Sequence, residues 1–175
     1  MTKRSTQPCG FLGIMIRDSR GHTMTEMGFL LLPFLLLIMA VVEFGWFYLH
    51  EHTLQYATRE GMRLALVGGI LTDGQGQPLS REDSIIQTIQ QSAAWIMDIP
   101  QSNIHIFTVG NNYDNPEGWE TAAPNAGNPA DYMRVVVDYE HTFLTPLISH
   151  LFSDDGTFLM RAQGTYRNEL FQTGV

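Results

Sequence analysis

The sequence predicts an α+β protein: a long N-terminal transmembrane helix continues into a small domain with a second helix and an antiparallel sheet of about three strands. Three observations predict this class. An uncharged apolar run lies near the N-terminus, apolar residues recur at helical spacing on both sides of a Gly-rich turn, and two later segments alternate apolar and polar residues. The 175 residues suffice for one domain with its own core, and 44% hydrophobic against 16% charged residues disfavours a disordered chain.

Charge is distributed unevenly along the chain. The first 21 residues carry four basic side chains against one acid, for a net +3, whereas the rest holds six arginines against 17 acids, for a net −11. The overall charge of −8 disfavours a nucleic-acid binder, which would show a basic patch. A basic head, an apolar run and an acidic body are typical of a membrane-anchored protein.

The apolar run is long enough to cross a bilayer. Residues 27–42 carry no charge, and after Glu43 an aromatic-rich stretch continues to Leu49. At ~1.5 Å per residue, a helix over 27–49 covers about 34 Å, enough for a hydrocarbon core of roughly 30 Å. The positive-inside rule keeps the basic N-terminus cytoplasmic and exports the acidic body. We therefore expect a leader at 1–21, a transmembrane helix at 22–49 and an extracytoplasmic domain at 50–175. A buried core helix is the alternative.

A cleaved secretory signal is disfavoured because no A-x-A-like site follows the run. The only cysteine, Cys9, precedes the run, so it does not have the position of a lipoprotein cysteine. The exported part has no cysteine at all, and it must be stabilised by packing without disulfides.

The junction between leader and helix carries a motif. Gly21 ends the basic segment, and Glu26 lies five residues later at the start of the apolar helix. This arrangement resembles the class III prepilin leader of type IV pilins and pseudopilins. The resemblance implies that a membrane-embedded prepilin peptidase cuts after Gly21, leaving His22 as the new N-terminus. It also implies that Glu26 pairs with that amine, in its own or a neighbouring subunit. An ionisable residue at the edge of a membrane helix is costly unless it is paired.

Each carboxylate of the anchor has a simpler interpretation. Glu26 could be an interfacial partner of the helix dipole, with Thr23 or Thr25 as the cap. Glu43 lies close to the outer interface, where it either reaches water or headgroups or pairs with another pilin-like helix or an assembly platform. Pro33 is tolerated in a membrane helix, and local unwinding of the helix at this residue is a further hypothesis.

A narrower resemblance is to the TadE-like family of tight-adherence (Flp, type IVc) pilus systems. The matching segments are 25–29, 42–45, 57–61, 142–147 and 166–169. The sequence departs from the family at Met27, where an aromatic residue usually follows the glutamate, and at His22. The resemblance implies a minor pilin or pseudopilin with a pilin-like domain in the bacterial inner membrane. Its partners would be a prepilin peptidase, other pilin-like subunits, the pilus assembly platform and membrane lipid.

Local signals predict the elements of the exported domain. The first helix continues to Ala65 and stops at Gly68-Gly69, and a capping box at 80–83 opens a second helix. Strands are predicted at 104–109, 133–140 and 158–167, with a long Asn/Pro/Gly-rich loop at 110–131. We expect the sheet to pack on the helices with one face and to be wetted on the other.

No catalytic or metal site, and no cofactor, is predicted. His50 and His52 diverge on a helix, and Asp114, Glu117 and Glu120 do not have the spacing of a known calcium loop. His105, His141 and His150 are expected to be isolated. The chain therefore resembles a substrate of an enzyme more than an enzyme. The alternative functions are an uncleaved single-pass binding protein with an extracytoplasmic domain, and, less favoured, a membrane-tethered hydrolase.

Overall fold

A computed structural model describes residues 19–145, 148 and 156–171. The elements follow the predicted order: helix α1 (Ser19–Leu66), helix α2 (Arg81–Ala93), a 3-10 turn (Gln101–Asn103) and strands β1 (Ile104–Val109), β2 (Tyr132–Thr142) and β3 (Thr157–Arg167). The long N-terminal apolar helix, second helix and three-stranded antiparallel sheet confirm the α+β prediction.

The structure divides into two units between Ile38 and Met39. In the first unit α1 is helical from Ser19 and continues through Pro33, and its apolar side chains from Met24 onward are exposed. Residues 23–66 form a helix that is long and apolar enough to cross a membrane, and only 6% of its most apolar 18-residue window is buried. A core helix of a soluble protein would be mostly buried, so the exposure favours a single-pass anchor.

The second unit contains the core of the C-terminal domain. Side chains from the C-terminal part of α1 pack with one face of α2 and one face of the sheet. The fully buried members are Leu54, Ala57, Ala65, Ile85, Ile89, Ala93, Met133, Val135 and Val137. The three- and four-residue spacing in the helices and the two-residue spacing in β2 bring these side chains to one side of each element.

The helix boundaries form where the sequence predicts them. Gly68, at φ 68°, donates its N–H to the Ala65 carbonyl, and Gly69 donates to that of Leu64, which closes the C-terminal turn of α1. At the start of α2 the Ser80 hydroxyl accepts the N–H of Asp83 at 2.9 Å.

The strand order is β1-β2-β3, and both pairs are antiparallel. The prediction of one wetted face is wrong for part of the sheet. Phe107, Val109 and Val136 lie on the face away from the helices, yet they are buried, with Trp119 and Tyr132 packed against them. The reason is that the 110–131 loop brings Trp119 back over this face, where its ring centroid lies 5.2 Å from that of Phe107.

Candidate functional site

The predicted processing site lies at the first turn of α1. Gly21 and His22 both have helical backbone, and Glu26 is exposed one turn further on. If a peptidase that binds its substrate as an extended strand cuts here, the Gly21–His22 bond would first have to leave the helix. Unwinding of this turn costs little free energy, because the first four N–H groups of a helix have no hydrogen-bond partner within the helix. The roles of Gly21, His22 and Glu26 remain predictions.

Glu43 has a different environment from either of those expected. Its side chain is only 1% exposed, and its carboxylate lies against the chain that follows β2. One oxygen, Oε1, accepts the N–H of Leu144 at 2.5 Å; the other, Oε2, accepts the N–H and the hydroxyl of Thr145, each at 3.1 Å. We call Glu43, Leu144 and Thr145 the Glu43 clasp. Its charge-assisted hydrogen bonds join two segments 101 residues apart.

The clasp connects two of the segments that resembled the TadE-like family. Residues 42–45 supply the acceptor and residues 142–147 supply the donors. Pro146 and Leu147 of the second segment lie outside the described residues. Nothing in the sequence of either segment indicates that the two are in contact. The sequence related them only through their resemblance to the same family.

Next to the clasp lies a buried cluster of histidine and aromatic rings. His50 donates a hydrogen bond from Nδ1–H to the Trp46 carbonyl at 2.9 Å, and its ring centroid lies 4.8 Å from that of His141. Phe47 and Phe143 each contact the His141 ring edge-on. The expectation that His141 is isolated is therefore wrong: the antiparallel sheet carries it to α1, beside a histidine 91 positions earlier.

The other predicted histidines do not join this cluster. His52 is exposed while His50 is buried, which confirms that the two imidazoles diverge. His105 packs edge-on against Trp119 with ring centroids 5.2 Å apart, so it too has a ring partner. His150 lies outside the described residues.

His141 is the titratable group most affected by this environment. Its side chain is 1% exposed, and its Nε2 atom has no hydrogen-bond partner among the described residues. Burial lowers the pKa of His141, the neighbouring His50 lowers it further, and Glu43 opposes the shift. The neutral imidazole is therefore the form that the folded domain favours.

Across the described residues, no group of three or more His, Cys, Asp or Glu side chains is placed to hold a metal ion. The His50–His141 pair provides two imidazoles, fewer than the three protein ligands of a catalytic zinc site. The cluster is better described as a packed polar core at the point where α1 meets the end of β2.

We expect the stability of the domain to fall as the pH drops through the titration of His141. Unfolded histidine has a pKa near 6.5 and the folded pKa is lower, so the unfolded state binds more protons below pH ~6.5. Stability is then full above pH ~6.5 and decreases below it. His141→Phe should flatten this dependence between pH 7.5 and 5.5, measured by thermal unfolding. The exposed His52→Gln is the control, and an unchanged slope in His141→Phe would contradict the assignment.

The open surfaces along α1 include a polar groove and an aromatic cleft. A groove of about 310 Å³ runs between α1 and β3 and is lined mainly by polar and charged side chains: Gln55, Thr58, Arg59, Met62, Arg161, Ala162 and Gln163. A smaller cleft of about 110 Å³ is lined by aromatic rings alone: Phe44, Phe47, Tyr48, Phe143 and Phe158.

A comparison with known protein families gives a match that covers the anchor helix. Residues 21–63 match a family model described as TadE-like protein. The matched range begins at Gly21, contains Glu26 and Glu43, and ends within α1. No curated protein and no solved structure matches the chain. The match confirms the resemblance to this family over the anchor helix.

Proposed function

We propose that this chain, which is TadE-like over residues 21–63, is a minor pilin or pseudopilin of a tight-adherence (Flp, type IVc) pilus. It is made as a precursor and is cut by a prepilin peptidase after Gly21. One observation carries the proposal: Gly21 and Glu26 lie at the start of a helix whose apolar side chains are exposed, within the matched range.

The charge distribution supports the topology that this function needs. The basic leader stays in the cytoplasm, where the peptidase cuts, and the acidic domain is exported from the bacterial inner membrane. Cleavage removes the net +3 of the leader, which is the basic flank that fixes the helix in its orientation. The remaining chain can then leave the bilayer to join other pilin-like subunits at the assembly platform.

The spacing of the new N-terminus and Glu26 supports a pairing role. His22 and Glu26 are four positions apart on α1, so the new α-amino group and the carboxylate would be about one helical turn apart. An α-amino group has a reference pKa near ~8, so it is largely charged at neutral pH and can pair with the carboxylate. Pairing with the amine of a neighbouring subunit would set the register between two helices in a filament.

Processing is tested by the intact mass of the membrane protein when it is expressed with its cognate peptidase. We expect a mature chain that starts at His22, and Gly21→Val should leave the full precursor because a β-branched side chain does not fit where glycine is required. Gly28→Ala is the matched control, since an added Cβ there meets nothing within 4 Å and processing should be unchanged. A wild-type chain that retains Met1–Gly21 would overturn the proposal and favour the uncleaved single-pass binding protein.

A further inference from the structure

Several large apolar side chains are exposed at the end of the domain where α1 enters it. We call them the apolar base: Phe44, Tyr48, Leu144, Phe158 and Leu159. They are 39–58% exposed, and they come from α1, from the chain after β2 and from the start of β3. Phe47 and Phe143 lie with three of them around the aromatic cleft of about 110 Å³. Leu159 is next to Phe158 at the same end of β3 but on the opposite face of the sheet. Exposed apolar residues grouped at one end of a domain indicate a contact with a partner or a membrane.

The α1 residues of the base follow other exposed apolar side chains of the second unit. Met39, Val41 and Val42 are exposed on α1, and Phe44 and Tyr48 follow within two turns. These residues form the C-terminal end of the apolar stretch that the sequence predicts to span the membrane. Aromatic side chains are enriched at this level because their rings suit the boundary between headgroups and acyl chains.

The polar groups at this level are arranged to suit a lipid boundary. Glu43, the acid within this part of α1, accepts hydrogen bonds on both oxygens, and the N–H groups of Leu144 and Thr145 are satisfied by it. The base thus presents apolar side chains while the carboxylate of Glu43 beside it is buried. Glu140 is exposed opposite Leu159, and an exposed carboxylate is costly in hydrocarbon, which favours a position of the base at the headgroups.

We propose that the apolar base sits in the interfacial layer of the bilayer and that the aromatic cleft takes acyl carbons of a lipid. The exported domain then has a second contact with the membrane in addition to the spanning helix. This contact rests on α1 being a membrane anchor, but it is independent of cleavage and of pilus assembly.

The contact can be measured on the full chain in vesicles of phosphatidylethanolamine and phosphatidylglycerol. Because Cys9 is the only cysteine, Cys9→Ser gives a background for single spin labels. Labels are placed at Leu144→Cys and Leu159→Cys in the base. Gln163→Cys is the matched control: it is exposed on the same face of β3 as Leu159, about 13 Å along the strand at ~3.3 Å per residue.

The measured quantity is the rate at which each spin label collides with oxygen, which dissolves in lipid, relative to its rate with a water-soluble nickel complex. We expect the labels at 144 and 159 to collide more with oxygen and the label at 163 to collide more with the nickel complex. Equal preference for the nickel complex at 144, 159 and 163 would overturn the proposal. So would dipolar coupling between labels of different chains at 144 or 159, because a second copy would then cover the base. Because the labels at 144 and 159 lie in different segments, a local change of structure at one label would not affect the result at the other.

Discussion

Replacing Glu43 by alanine is expected to lower the free energy of unfolding of the C-terminal domain by about 3 kcal/mol. The variant removes the acceptor for two backbone N–H groups and one hydroxyl, and hydrogen bonds to a charged group contribute about 1.5–3 kcal/mol each. The partly buried donors regain some of this from water. The chain after β2 should open locally, seen as faster amide hydrogen exchange at Leu144 and Thr145 and a lower thermal midpoint.

Two further variants make this result specific to the clasp. Glu43→Gln keeps one acceptor oxygen but places an NH₂ group against the donors, so its loss should be intermediate. Glu60→Ala removes a partly exposed acid of α1 whose partner is Arg63, and it should have only a small effect because salt bridges at the surface contribute little to stability. If Glu43→Ala destabilises the domain no more than Glu60→Ala, the clasp does not hold α1 to the segment after β2.

Replacing Glu26 by alanine is expected to leave processing after Gly21 largely intact and to abolish most piliation. If the carboxylate pairs with a terminal amine away from water, removing it leaves a buried charge unpaired, at a cost of about 3–5 kcal/mol. That corresponds to a loss of roughly 100-fold or more in the association of subunits. The measurements are intact mass of the membrane protein and the number of pili per cell.

Glu26→Gln removes the negative charge but keeps a side chain of nearly the same size and shape. We expect it to fail to support piliation, as Glu26→Ala does. Glu51→Gln is the control on the same helix, where the carboxylate accepts a hydrogen bond from Gln55 at the surface. Normal piliation in Glu26→Gln would show that the negative charge is not needed.

The parts of the fold that depend on short-range chemistry could be predicted from the sequence. Ser80 caps α2 and Gly68 ends α1 because both effects act within four residues. The three strands were predicted from alternation, and the structure extends β2 and β3 by one or two residues beyond the predicted bounds. These patterns are local, so no knowledge of the tertiary contacts was needed.

The contacts that form the candidate site could not be predicted in the same way. Glu43 meets Leu144 across 101 positions, and no periodicity in either segment indicates the other. The environment of His141 depends on which strand end packs against α1. The burial of Val136 depends on the position that Trp119 takes within an irregular loop, which no local pattern predicts. The sequence did contain a signal, because three apolar residues lie on a face expected to be polar: Phe107, Val109 and Val136.

The sequence separation within the Glu43 clasp imposes an order on folding during synthesis. Glu43 is made about a hundred residues before its donors, so α1 is complete while its acid still lacks Leu144 and Thr145. The clasp closes only after β2 has been made. A chain truncated before residue 144 would keep the carboxylate of Glu43 without these donors.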